Sequence, residues 1–167
     1  MKCRITITTM QSDNGEGLSL FGNSFFGNEP IYEPDPYKGL CAEEIDVITT
    51  YFDGLMTTSG DTTHITYFED DKSGMGGTKV VMAFKESEPS EITITRSGAI
   101  NTIMLFSEGE RTISVYNTPY MPFELGIYAK RVDNRILTDG VLEISYILEI
   151  KGALAQKTEM RMEIKAI

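Results

Sequence analysis

Three short runs of alternating β-branched residues lie end to end between residues 92 and 118, split by Ser97-Gly98 and by Glu108-Gly109. Turns that tight join only antiparallel neighbours, because a parallel crossover consumes a dozen or more residues. The period of two recurs along most of the chain. Residues 2–9 place Cys3, Ile5 and Ile7 on one side, with Lys2, Arg4, Thr6 and Thr8 on the other. Residues 45–57 and 62–69 read as a hairpin across Ser59-Gly60-Asp61. Residues 79–85 align Val80, Met82 and Phe84, and the runs 92–96, 100–107 and 111–118 follow. Residues 123–132 and 141–150 pair across 133–140, and 157–164 ends the series with Met160, Met162 and Ile164 on one face. Residues 41–46 suit a single helical turn, and nothing longer reads as helix.

So many strands with one apolar face would leave long unpaired edges if the sheet stayed flat. Closure removes the edges, so the pattern predicts an all-β, antiparallel up-and-down barrel of roughly eight to ten strands. A two-sheet sandwich is the alternative. Sequential hairpins without long cross-connections favour the barrel. One domain, residues 1–167, accounts for the whole chain.

The alternation breaks across residues 11–39. Gly15, Gly17, Gly22, Gly27 and Gly39 are mixed there with Pro30, Pro34 and Pro36, which disfavours a regular element. Phe21, Phe25, Phe26, Tyr32 and Tyr37 interleave with these breakers. Five aromatics are wasted in a solvated linker. The segment is expected to be an ordered excursion that packs on the barrel or covers one end.

Charge narrows the list of partners. The net charge is −10, and it is concentrated in residues 10–75, where only Lys38 and Lys72 oppose the acids. Affinity for phosphate backbones needs clustered Lys and Arg, so nucleic acid and anionic membrane surfaces are excluded as partners. No apolar run is long enough to span a bilayer, and the alternating N-terminus is not a signal peptide. Cys3 and Cys41 form no disulfide framework, which fits a reducing cytoplasm.

Several local patterns carry a family resemblance. A strand ends in Arg96-Ser97-Gly98, followed by Met104-Leu105-Phe106 and by Tyr116-Asn117-Thr118. Tyr67-Phe68-Glu69 precedes them, and Gly140 with Tyr146 marks the final hairpin. In this order the chain from residue 44 onward resembles the YwiB-like family, bacterial calycin-type (lipocalin-like) barrels classed as a domain of unknown function. Two departures stand out. Met121 follows Pro119-Tyr120 where the family pattern has glycine, and the 11–39 excursion is longer than its family counterpart. The resemblance implies the barrel and brings no activity, cofactor or site residue with it.

The residues support little catalysis. His64 is the single histidine, sharing its strand phase with Thr62, Thr66 and Phe68. One histidine and two distant cysteines are a poor zinc supply, and no Gly-x-Ser-x-Gly elbow accompanies a triad. The glycines of residues 73–77 lack the Gly-Lys-Ser/Thr ending and the helix of a phosphate loop. No cofactor or metal is expected. An enzyme would need polar groups gathered around His64 or Arg96.

Arg96 is the candidate that stands out. It continues the phase of Ile92 and Ile94, so its guanidinium points into the barrel with them. A buried charge needs a carboxylate such as Glu69, or several acceptors. Tyr146 and Tyr116 are its proposed companions, although the phase of Ile113 and Val115 turns Tyr116 outward. With His64, these are the candidate ligand-binding residues. The leading expectation is a non-enzymatic barrel holding a small, partly apolar ligand, anionic ligands included. The alternative is a protein-interaction module that uses the acidic, aromatic-rich excursion 11–39; a protein partner or a second copy of the chain is the partner class left open.

Overall fold

Alternation becomes ten strands and one helical turn in the structure, a computed structural model that describes residues 1–13, 44–69, 77–117, 121–150 and 153–167. The strands are β1 (Lys2–Asp13), β2 (Glu44–Ser59), β3 (Thr62–Glu69), β4 (Thr78–Lys85), β5 (Glu88–Ser97), β6 (Asn101–Ser107), β7 (Arg111–Asn117), β8 (Pro122–Arg135), β9 (Val141–Ile150) and β10 (Ala153–Ala166). Between β8 and β9 lies α1 (Ile136–Asp139), closed by Gly140 in the left-handed region. Every strand pairs antiparallel with its chain neighbours, and β1 pairs with β10 to close the ring. The closing ladder runs from Cys3 opposite Ala166 to Ser12 opposite Lys157. Among the described residues no helix is long and apolar enough to cross a membrane.

Three boundaries differ from the sequence reading. β1 does not stop at Thr9: Gln11 lies opposite Thr158 of β10 and Asp46 of β2, and is buried. The excursion therefore starts later than residue 11, because a polar side chain turned inward disguises the alternation. Glu44, Ile45 and Asp46 belong to β2 and not to a helical turn. The 133–140 connection shrinks to α1 and Gly140, with β8 continuing to Arg135. The expected packing of the remaining excursion lies outside the described residues.

The interior is divided along its length. Cys3, Ile5, Ile65, Met82, Ile92, Phe106, Leu142, Ile144 and Met162 are fully or almost fully buried. Each such side chain contributes roughly 1.5–3 kcal/mol by leaving water. The strands alternate in direction, so the end of β3 and β5 is also the start of β4 and β6. At that end the inward positions turn polar: Gln11, Glu69, Thr78, Arg96, Thr102, Ser114, Gln156 and Thr158. Thr63 is buried at the opposite end, but most of the buried polar side chains gather at this one.

The β6–β7 seam is unusual. Among the described residues its ladder pairs only Asn101 with Asn117 and Thr102 with Tyr116. Beyond that, side-chain hydroxyls bridge the strands. Thr112 Oγ1 donates to the Leu105 carbonyl at 2.6 Å, and Ser114 Oγ donates to the Ile103 carbonyl. Thr102 and Ser114 hydroxyls meet at 3.0 Å, and Thr102 also donates to the Val115 carbonyl at 3.2 Å.

Candidate binding site

Arg96 points inward as its strand phase requires, following Ile92 and Ile94, which are both buried. Its cross-strand neighbours are Val80 on β4 and Thr102 on β6. Glu69, at the end of β3, lies two strands away, with β4 between them. Arg96 Nε–H donates to Glu69 Oε1 at 3.4 Å, and Nη1–H donates to the Met104 sulfur at 3.6 Å. The Arg96 side chain is 23% exposed and that of Glu69 9%. Burial works against the guanidinium charge; Glu69 and the neighbouring tyrosines outweigh it and hold the pKa above its ordinary value.

Three tyrosines, Tyr67, Tyr116 and Tyr146, interact electrostatically with the guanidinium, and each packs on a phenylalanine. Tyr67 stacks on Phe52 with centroids 4.8 Å apart, and Tyr116 stacks on Phe123 at 5.3 Å. Tyr146 meets Phe106 edge-on at 4.9 Å. Such contacts add stabilisation beyond area and restrict where each hydroxyl can sit. Burial pushes the Tyr67 hydroxyl up to about 12, with Arg96 pulling the other way. Burial raises Tyr116 and Tyr146 too, again against Arg96. The shared influence of Arg96 makes the three hydroxyls one electrostatic unit.

The predicted site residues divide accordingly. The structure brings Arg96, Tyr116 and Tyr146 together. The outward orientation expected of Tyr116 is corrected: it is 4% exposed, whereas Ile113 and Val115 are 71% and 51% exposed. The rule of apolar side chains inward fails on β7 because the interior is polar at this end. His64 does not join the cluster. It alternates with the buried Thr63 and Ile65 and shares the outer wall with Phe68. Tyr67 and Thr78 were missed as site residues. Tyr67 was legible, since it continues the inward phase of Ile65 toward Glu69.

Two features shape the rim. Gly98 takes φ 145°, and a Cβ there would sit 2.9 Å from both the Gly77 carbonyl oxygen and Thr78 Cα. The glycine two places after Arg96 thus lets the β5 end close onto the start of β4. Some acceptors are also left over. Glu69 Oε2, Thr78 Oγ1 and Gln11 Oε1 are buried without a hydrogen-bond partner among the described residues. Buried polar groups are nearly always satisfied, by protein, water or a ligand.

A shallow groove of about 160 Å³ lies at the opposite end, lined by Phe84, Glu86, Pro89, Asn134, Arg135, Leu137 and Thr138. Its cation is already engaged, Arg135 pairing with Asp133, Asp139 and Glu143 at 3.1–3.4 Å. Among the described residues no group of three or more His, Cys, Asp or Glu could hold a metal ion.

A family model described as a domain of unknown function, DUF1934, matches residues 41–162. The chain belongs to the DUF1934 family. The match takes in Tyr67, Glu69, Thr78, Arg96, Tyr116 and Tyr146, and leaves Gln11 outside it. The DUF1934 chain is also similar to a solved structure, the crystal structure of ywiB protein from Bacillus subtilis. The two are 17% identical with a TM-score of 0.60, over 99% of this chain and 94% of that one. The likeness bears out the YwiB-like barrel read from the sequence motifs. Comparison with curated proteins gives no match.

Proposed function

We propose that this barrel is a non-enzymatic binding module for a small, partly apolar molecule, whose anionic head meets Arg96 while its apolar part lies against the Tyr and Phe rings. The observation that carries the reading is the state of Arg96. It is an inward, 23% exposed guanidinium whose Nε–H meets one carboxylate oxygen and whose Nη1–H meets a thioether sulfur. A thioether sulfur is a weak acceptor, so an anionic oxygen supplied from outside would be a better partner for that guanidinium edge. A catalytic role draws less support. A general base works best with a pKa near the operating pH, and the three tyrosines are shifted away from neutrality. A reducing, cytoplasmic setting is part of this reading, supported by Cys3, a buried free thiol.

Thermal shift with a library of medium-chain carboxylates, followed by native mass spectrometry of the full chain, tests the proposal. A ligand present at 100 times its Kd stabilises the fold by about 2.7 kcal/mol, a shift of several degrees. Arg96→Met should abolish that shift. No shift and no retained mass across the library would refute the binding reading.

A further inference from the structure

Arg96 accounts for only half of the polar centre, and the other half demands the opposite chemistry. Glu69 uses Oε1 on the Arg96 Nε–H, while Oε2 is buried without a partner among the described residues. Thr78 is the cross-strand partner of Glu69, and Val80, two residues further along β4, is the cross-strand partner of Arg96. The Thr78 hydroxyl, fully buried, is likewise unpartnered. A donor-rich cation and an acceptor-only carboxylate therefore stand side by side, the carboxylate with one oxygen unpartnered, and an unpartnered hydroxyl lies across the ladder from it. Gln11 Oε1 adds a further buried acceptor at the same end of the barrel.

We infer that the ligand's head group carries a hydrogen-bond donor next to its carboxylate, an α-amino acid with an apolar side chain being the simplest such molecule. The inference rests on the binding reading above and specifies its ligand class. Charge bookkeeping supports it. Arg96 and Glu69 together are neutral, so a bare carboxylate entering the site adds an uncompensated negative charge close to Glu69. An ammonium beside that carboxylate restores neutrality and donates to Glu69 Oε2 and Thr78 Oγ1 while the carboxylate accepts from Arg96. Charge-assisted hydrogen bonds of this kind are about twice as strong as neutral ones.

The test compares 2-aminooctanoate, octanoate and octylamine on the full chain by titration calorimetry. The expected result is binding of 2-aminooctanoate at least about tenfold tighter than either partial analogue, equivalent to about 1.4 kcal/mol. Glu69→Gln should erase that preference, and Thr78→Val should weaken 2-aminooctanoate more than it weakens octanoate. Octanoate binding as tightly as 2-aminooctanoate to the wild-type protein would overturn this inference and leave the binding reading standing. If none of the three probes binds, both fall together.

Discussion

Glu69 and Arg96 meet over the top of β4, their side chains 3.4 Å apart, on strands that share no ladder. The pair ties β3 to β5 independently of the backbone hydrogen bonds. Removing one ion leaves the other desolvated and uncompensated, which is the costly outcome for a buried pair. Glu69→Ala is expected to destabilise the fold by about 2–4 kcal/mol in urea denaturation. The double variant Glu69→Ala with Arg96→Met should recover much of that loss. A double variant that loses as much as the two single variants summed would mean the pair is not coupled.

Alkaline pH should unfold the barrel through its tyrosines. Tyr67 holds its proton up to about 12 when folded, against an ordinary value of about 10 when unfolded. The folded state thus binds more protons between those values, and stability falls as pH rises through that window. Below it the contribution is fully present. Tyr67 alone accounts for about 3 kcal/mol across the window, and Tyr116 and Tyr146 shift the same way. Tyr67→Phe should flatten the alkaline limb of the stability profile. Ultraviolet titration of tyrosinate should show delayed ionisation that becomes ordinary in urea.

The β6–β7 seam should depend on its hydroxyls. Thr112→Val and Ser114→Ala each remove a bond to a carbonyl on β6, and each should cost about 1 kcal/mol. The double variant should lose at least the sum of the two, because the bond from Thr102 Oγ1 to the Val115 carbonyl and the two ladder pairs are then left to hold the seam. Hydrogen exchange should accelerate in β6 and β7 and stay unchanged in β1 and β10.

Gly98→Ala combines a left-handed φ with a close backbone approach, so no rotamer can relieve it. A loss of about 1–3 kcal/mol is expected from strain of this kind. Displacing Thr78 would also disturb the neighbouring Glu69, so binding at Arg96 should weaken along with stability.

The architecture was legible because most strands obey one rule, apolar inward and polar outward. β3 and β9 match their expected bounds, as Ile65 and Ile144 keep a clean period of two. The rule misleads where the interior itself is polar. Gln11 ended β1 too early on paper, and Ser114 with Tyr116 inverted the faces of β7. Arg96 was found because two isoleucines precede it in phase. Thr78 could not be found that way: a threonine suits either face, and only its position beside Glu69 gives it meaning. His64 attracted notice by chemistry alone, while strand phase had already placed it with Phe68 on the wall.

Ring closure between β1 and β10 carries a consequence for synthesis. β1 finds one of its two neighbours only when β10, the last strand of the ring in chain order, emerges. Until then β1 is covered by β2 on one flank and bare on the other, and the opposite rim of the growing sheet is bare as well. Cys3, Ile5 and Ile7 must wait for Met162 and Ile164 before their burial is complete. During that interval the unpaired edges and uncovered apolar face leave the nascent chain open to aggregation.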